Sequence, residues 1–281
     1  MTVLTPAPRT PLFLPLQFVG RNAALIVRRI WLPCLAGAIS IYGFFFTYML
    51  ELQSYLSHPQ DSVGSRVLGI AALALLVLVF LHSLVAGRIA QLALGMPAAK
   101  GDFLGVTRAE WRLYTGNLQF CIVLLFFILA FFGFHGITER LGWPLGPVPY
   151  ILQGVFLFWL AARLWFLLPP VCMTHNNNRS EVLVATWRQS RGHVWRIVLQ
   201  FAAIILTAYL VQAAVGMALH AVGLIAPLPS SATLDIYVSS YRENLLPMVV
   251  MINIAYIVFA VLTAAAAAQV QAGGRADTLP A

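Results

Sequence analysis

The chain has 281 residues, of which 60% are apolar and only 9% carry charge, where soluble domains run near ~25% charged. That balance excludes an ordinary soluble domain, and apolar runs long enough to cross ~30 Å of hydrocarbon recur along the length. The net charge of +8 therefore belongs to a membrane surface, since no nucleic-acid motif accompanies it.

The stretch "FVGRNAALIV", from Phe18, places Gly20, Arg21 and Asn22 just ahead of a first span over about 30–50, with Pro11 and Pro15 interrupting any helix before them. This segment lies some 29 residues in, is long enough to span and is followed by no clear cleavage site, so it reads as a span rather than a signal peptide. A second span over about 67–87 carries His82 and runs into "VAGRIAQLALGMP", which holds Arg88. His82 reads either as a proton relay or ligand, or as a hydrogen-bonded packing histidine, and the packing role is favoured because no carboxylate lies in its own span.

Next comes the polar stretch from Gly101 to Asn117, with Asp102 as a candidate N-cap and "EWRLYTGN" near its end. Its polarity predicts a short amphipathic helix lying in the interface, with Trp111 at headgroup depth, Arg112 facing phosphates and Gly116 ending the helix so that the chain turns into the bilayer. Spans over about 118–134 and 148–171 follow, the latter with Arg163 in "AARLWFLLPP". An arginine inside a span costs at least ~2.5–3.5 kcal/mol at mid-depth unless it is paired, solvated or snorkelling.

The segment "THNNNRS" (174–180) reads as a turn. After it, "TWRQSRGH" repeats the Trp-Arg-x-x-x-Gly pattern 76 residues downstream (187 minus 111), matching Trp187, Arg188 and Gly192 to Trp111, Arg112 and Gly116, with Arg191 and Trp195 close by. Here Ser180 is the N-cap candidate and Glu181 lies in the first turn. Spans over about 195–225 and 246–268 complete the chain, the last ending in the Ala264–Ala268 run.

The expectation is an all-α integral membrane protein forming a single transmembrane domain over 1–281. It has six spans in about three repeats (about 9–97, 101–173 and 179–272), each an interfacial helix, a glycine turn (Gly20, Gly116, Gly192) and two spans. Continuous rather than alternating apolar runs favour helices over a barrel. All but Arg66, Arg140 and Arg242 of the 17 basic residues fall on the even-numbered connections and the termini, which predicts that both termini are cytoplasmic. Cys34, Cys121 and Cys172 are far apart and match no metal or disulfide spacing, so buried free thiols are expected.

The residues of "RLWFLLPP" and "VATWRQSRGHVWRIV" resemble the membrane domain of bacterial glycerophosphodiester phosphodiesterases and the YciC-like inner-membrane proteins. The resemblance is clearest over 163–200, is weaker over 88–125, and rests on an Arg-containing span, a proline and a Trp-x-x-x-x-Gly-x-x-Trp segment. It implies a multi-span fold and a bacterial cytoplasmic (inner) membrane location rather than a reaction. The catalytic barrel of the phosphodiesterases has no room in this chain.

The nine carboxylates are scattered, and no phosphate loop, metal motif or nucleophile elbow is present, so no catalytic residue, cofactor or metal is assigned. The expected function is a non-catalytic scaffold, assembly or envelope factor. Its basic interfacial helices would bind anionic lipid through Arg88, Arg112, Arg163, Arg188 and Arg191, anchored by Trp111, Trp187 and Trp195, or would dock a membrane protein complex. The alternative is a transporter or lipid-translocating protein with Arg88 and Arg163 along an anionic pathway, against which no span shows a clear mid-depth Gly/Pro break.

Overall fold

A computed structural model describes residues 13–57, 63–96, 106–140, 147–174, 182–225 and 241–276. The chain is all-helical there, and six helices are long and apolar enough to cross a membrane. The elements are α1 (Phe13–Ser57), α2 (Val63–Ala93), α3 (Arg108–Arg140), α4 (Pro147–Leu164), α5 (Leu168–Thr174), α6 (Val182–Gln189), α7 (Val194–Ala221) and α8 (Leu245–Ala276). The six spans are α1, α2, α3, the α4–α5 pair, α7 and α8.

α8 and α2 form the middle of the bundle. α1 packs on both, α7 packs on α8, α3 packs on α2, and α5 touches α2, α3, α6 and α8. The alanine run explains why α8 sits centrally: Ala264–Ala268 are all buried, and methyl-sized side chains let neighbouring backbones approach closely.

Packing is concentrated at one end. The core joins Ile26 and Ile30 of α1, Val85 and Ile89 of α2, Phe166–Leu168, Ile197 of α7 and the alanines of α8. Toward the other end the helices present Ile39, Leu68, Phe126, Phe132, Ile151, Leu210 and Met217 outward. In water such surface would be costly, whereas acyl chains solvate it as well as leucine does. Every described basic residue except Arg66, Arg140 and Arg242 lies toward the packed end.

The helices depart from the three-repeat expectation at the turns. α1 begins at Phe13 and runs unbroken through Gly20, so Gly20 is not a turn glycine; Pro15 falls in the first turn, where its missing N–H is tolerated. α3 runs unbroken from Arg108 through Gly116 to Arg140, so the second interfacial helix and its elbow do not exist as separate elements. Gly116 instead makes room for packing, since a Cβ there would lie 3.3 Å from Leu168 Cδ1. The third elbow is present: α6 stops at Gln189, and Gly192 has φ +88° before α7 begins. The N-cap candidates Asp102 and Ser180, with the turn at 175–180, lie outside the described residues.

The fourth span also breaks, between Leu164 and Leu168. Pro169 and Pro170 lack the N–H groups that would bond the carbonyls of Trp165 and Phe166, and their rings crowd those carbonyls. The ladder shifts accordingly: both Trp165 N–H and Phe166 N–H donate to the Ala161 carbonyl, and Leu168 N–H donates to that of Trp165.

Candidate functional site

The two span arginines have contrasting surroundings. Arg88 Nε donates to Glu110 Oε1 at 3.2 Å, with only 7% and 2% of the two side chains exposed. Arg88 Nη1 also donates to the Arg29 carbonyl at 2.9 Å. That carbonyl is open for a reason written in the sequence: Pro33, four residues on within α1, has no N–H to give it. Glu110 is itself fixed by the first turn of α3. Its Oε2 accepts from Thr107 N–H at 2.6 Å while its own N–H donates to Thr107 Oγ1 at 3.2 Å, the reciprocal arrangement of a capping box. Gly87 permits the approach, since a Cβ there would sit 3.1 Å from Glu110 Cγ. Arg88 is thus neutralised and buried inside the protein.

Arg163, in the last turn of α4, meets no carboxylate among the described residues. Its guanidinium carbon lies 3.4 Å from the centre of the Trp187 ring and 5.3 Å from that of Trp159. Its Nε donates to Ser190 Oγ at 2.9 Å, and Ser190 Oγ donates in turn to the Trp187 carbonyl. Trp159 and Trp187 meet edge to face. The cation–π contact orients the guanidinium, and no protein group among the described residues accepts from its terminal NH2 groups. Arg191 adds a like charge that acts on Arg163, and both Arg188 and Arg191 are exposed. The elbow at Gly192 therefore gathers three arginines beside two indoles, and the terminal NH2 groups of Arg163 have no acceptor among the described residues.

The two arginines follow one rule. Each lies in the second span of a sequence unit and reaches into the Trp-Arg element of the next, Arg88 to Glu110 beside Trp111, and Arg163 to Trp187 itself. The element starting α3 supplies a carboxylate, whereas the element of α6 has Thr186 before its tryptophan. Of the other expected site residues, Arg112 is half-buried on α3, Trp111 is 42% exposed and packs on Phe80 and Tyr114, and Trp195 is 77% exposed.

Sequence reasoning assigned Glu110 no role, although Thr107-x-x-Glu110 is a readable capping signature. It also passed over Asn117, which bridges three elements: Trp165 Nε1 donates to Asn117 Oδ1, and Asn117 Nδ2 donates to Ser83 Oγ, both at 2.9 Å. No spacing in the sequence announces that contact, because Asn117 and Trp165 lie 48 residues apart.

No described group of three or more His, Cys, Asp or Glu could hold a metal ion, and Cys34, Cys121 and Cys172 are unpaired thiols. The chain matches no known protein family, no curated protein and no solved structure.

Proposed function

We propose that this multi-span membrane protein binds anionic lipid headgroups at the Gly192 elbow and serves without catalysis as a scaffold or envelope factor of a bacterial inner membrane. The observation that carries this reading is Arg163, stacked on Trp187 at 3.4 Å with no carboxylate partner among the described residues and with Arg188 and Arg191 exposed. A phosphate there would relieve the like-charge repulsion and accept the remaining N–H groups. The indoles suit headgroup depth. Arg88, with Glu110 as its counter-ion, leaves the anion-binding set and takes a structural role.

The carrier reading draws support from the broken fourth span, since interrupted helices line many transport sites. It is weakened by the internal pairing of Arg88, which removes one of its two pathway charges.

The test is lipid retention. Protein carrying Arg188→Gln and Arg191→Gln should still insert and fold. Each arginine is worth on the order of 1 kcal/mol at an anionic surface, so binding to phosphatidylglycerol vesicles should weaken by about tenfold or more. The wild-type preparation should hydrolyse no glycerophosphodiester. Unchanged retention by the double variant would reduce these arginines to topology signals.

A further inference from the structure

A second feature of the bundle shares none of its lining with Arg163, Arg188, Arg191, Trp159 or Trp187. A cleft of about 470 Å³ opens between α2, α3, α4, α7 and α8 beside the helix break, within the ~300–1,000 Å³ range of small-molecule and cofactor sites. Its walls are apolar and strongly aromatic, with Phe120, Leu124, Phe201 and Phe259 among them, and no Asp, Glu, Lys or Arg lines it. A charged ligand would find no counter-ion there.

The polar groups at its edge are nearly all satisfied within the protein. Asn117 is engaged by Trp165 and Ser83, and Ser83 Oγ donates to the Val79 carbonyl. His82 is the exception. Its ring stacks on Trp165 with centroids 5.0 Å apart, and its Nδ1 lies 3.0 Å from the Tyr256 hydroxyl. A neutral imidazole carries one N–H, and its position follows from counting protons. If Nδ1 held it, neither the Tyr256 proton nor Nε2 would have a partner among the described residues. If Tyr256 O–H donates to Nδ1, only the Nε2–H remains, and one group without a partner costs less than two. No protein group among the described residues accepts that last proton.

We propose that the cleft binds an uncharged lipid-soluble carbonyl compound, whose oxygen accepts from His82 Nε2–H and whose apolar body lies among Phe120, Leu124, Phe201 and Phe259. Both membrane quinones and neutral acylglycerols carry this chemistry. No elbow residue lines the cleft, so either site can fail alone.

The full-length protein in maltoside micelles is titrated with decylubiquinone in one arm and dioctanoylglycerol in the other, and bound ligand is counted on intact complexes by mass spectrometry. One equivalent of at least one probe is expected, and the arm that saturates identifies the source. Leu124→Trp, which fills the cleft from α3, should abolish binding. His82→Phe keeps the stacked ring without the donor and should weaken binding by about tenfold. Thermal melting reports which variants fold, and Leu124→Trp carries the test alone if His82→Phe does not. The Arg188→Gln, Arg191→Gln protein should bind as the wild type does. The proposal is overturned by wild-type protein that takes up neither probe, by folded Leu124→Trp with wild-type stoichiometry, or by folded His82→Phe with wild-type affinity.

Discussion

Arg88 can lie inside an apolar bundle because three separate features of the chain converge on it. Pro33 leaves a carbonyl open on α1, Thr107 and Glu110 lock a carboxylate at the start of α3, and Gly87 lets that carboxylate approach. Removing one partner of a buried pair leaves an uncompensated charge and typically costs about 3–5 kcal/mol, whereas removing both is often close to neutral. Glu110→Gln should therefore lower stability by about 3 kcal/mol in denaturant titrations of the detergent-solubilised protein. Adding Arg88→Met should restore most of the loss. If the double variant is no more stable than Glu110→Gln, the ion pair is not what Glu110 contributes. The pair was not legible from the arginine alone, because its counter-ion comes from a different span, 22 residues away.

At the level of elements, three glycines share a sequence context and do three different things. Gly192 adopts φ +88°, where a Cβ costs roughly 1–2 kcal/mol. Gly116 is helical and tight against Leu168, and Gly20 is helical with nothing within 4 Å of an added Cβ. Alanine substitutions should separate them. Gly192→Ala should destabilise by about 1 kcal/mol through backbone strain. Gly20→Ala should stabilise by roughly 0.5–1 kcal/mol, as alanine does inside a helix. Gly116→Ala should gain less than Gly20→Ala, because Leu168 must shift to admit the methyl group. Thermal unfolding of the three variants gives the order; a stabilising Gly192→Ala would contradict the turn. The sequence signal was the same for all three because a glycine before an apolar run marks either a turn or a close approach, and only the neighbours distinguish these.

For the whole molecule, charge and packing are polarised along the same axis. The close-packed end holds most of the arginines, while the opposite halves of the helices offer large apolar side chains to lipid. Lys and Arg are retained on the cytoplasmic side during insertion, so reporter fusions after Asp61, Glu139 and Asp235 should all read as external and a fusion at the C-terminus as cytoplasmic. A cytoplasmic signal from any of the first three would remove the topology. The same polarity would place the Gly192 elbow in the cytoplasmic leaflet, whose anionic lipids attract basic segments.

By itself the sequence determined the all-helical class and the six spans, with basic residues gathered toward one end. These follow from local rules: an apolar run must satisfy its backbone within one helix, and charge avoids hydrocarbon whatever its neighbours. The broken fourth span was written there too, in Pro169 and Pro170, although the run of apolar residues across it masked the break. Tertiary structure alone decided that Arg88 meets a carboxylate and that Arg163 meets none among the described residues. It also decided that Gly116 packs while Gly192 turns, and that His82 finds Tyr256 174 residues away. Each of these depends on a partner brought close by helix packing, and hydrogen bonds and ion pairs act over a few ångströms in space, a distance that sequence spacing does not encode between different spans.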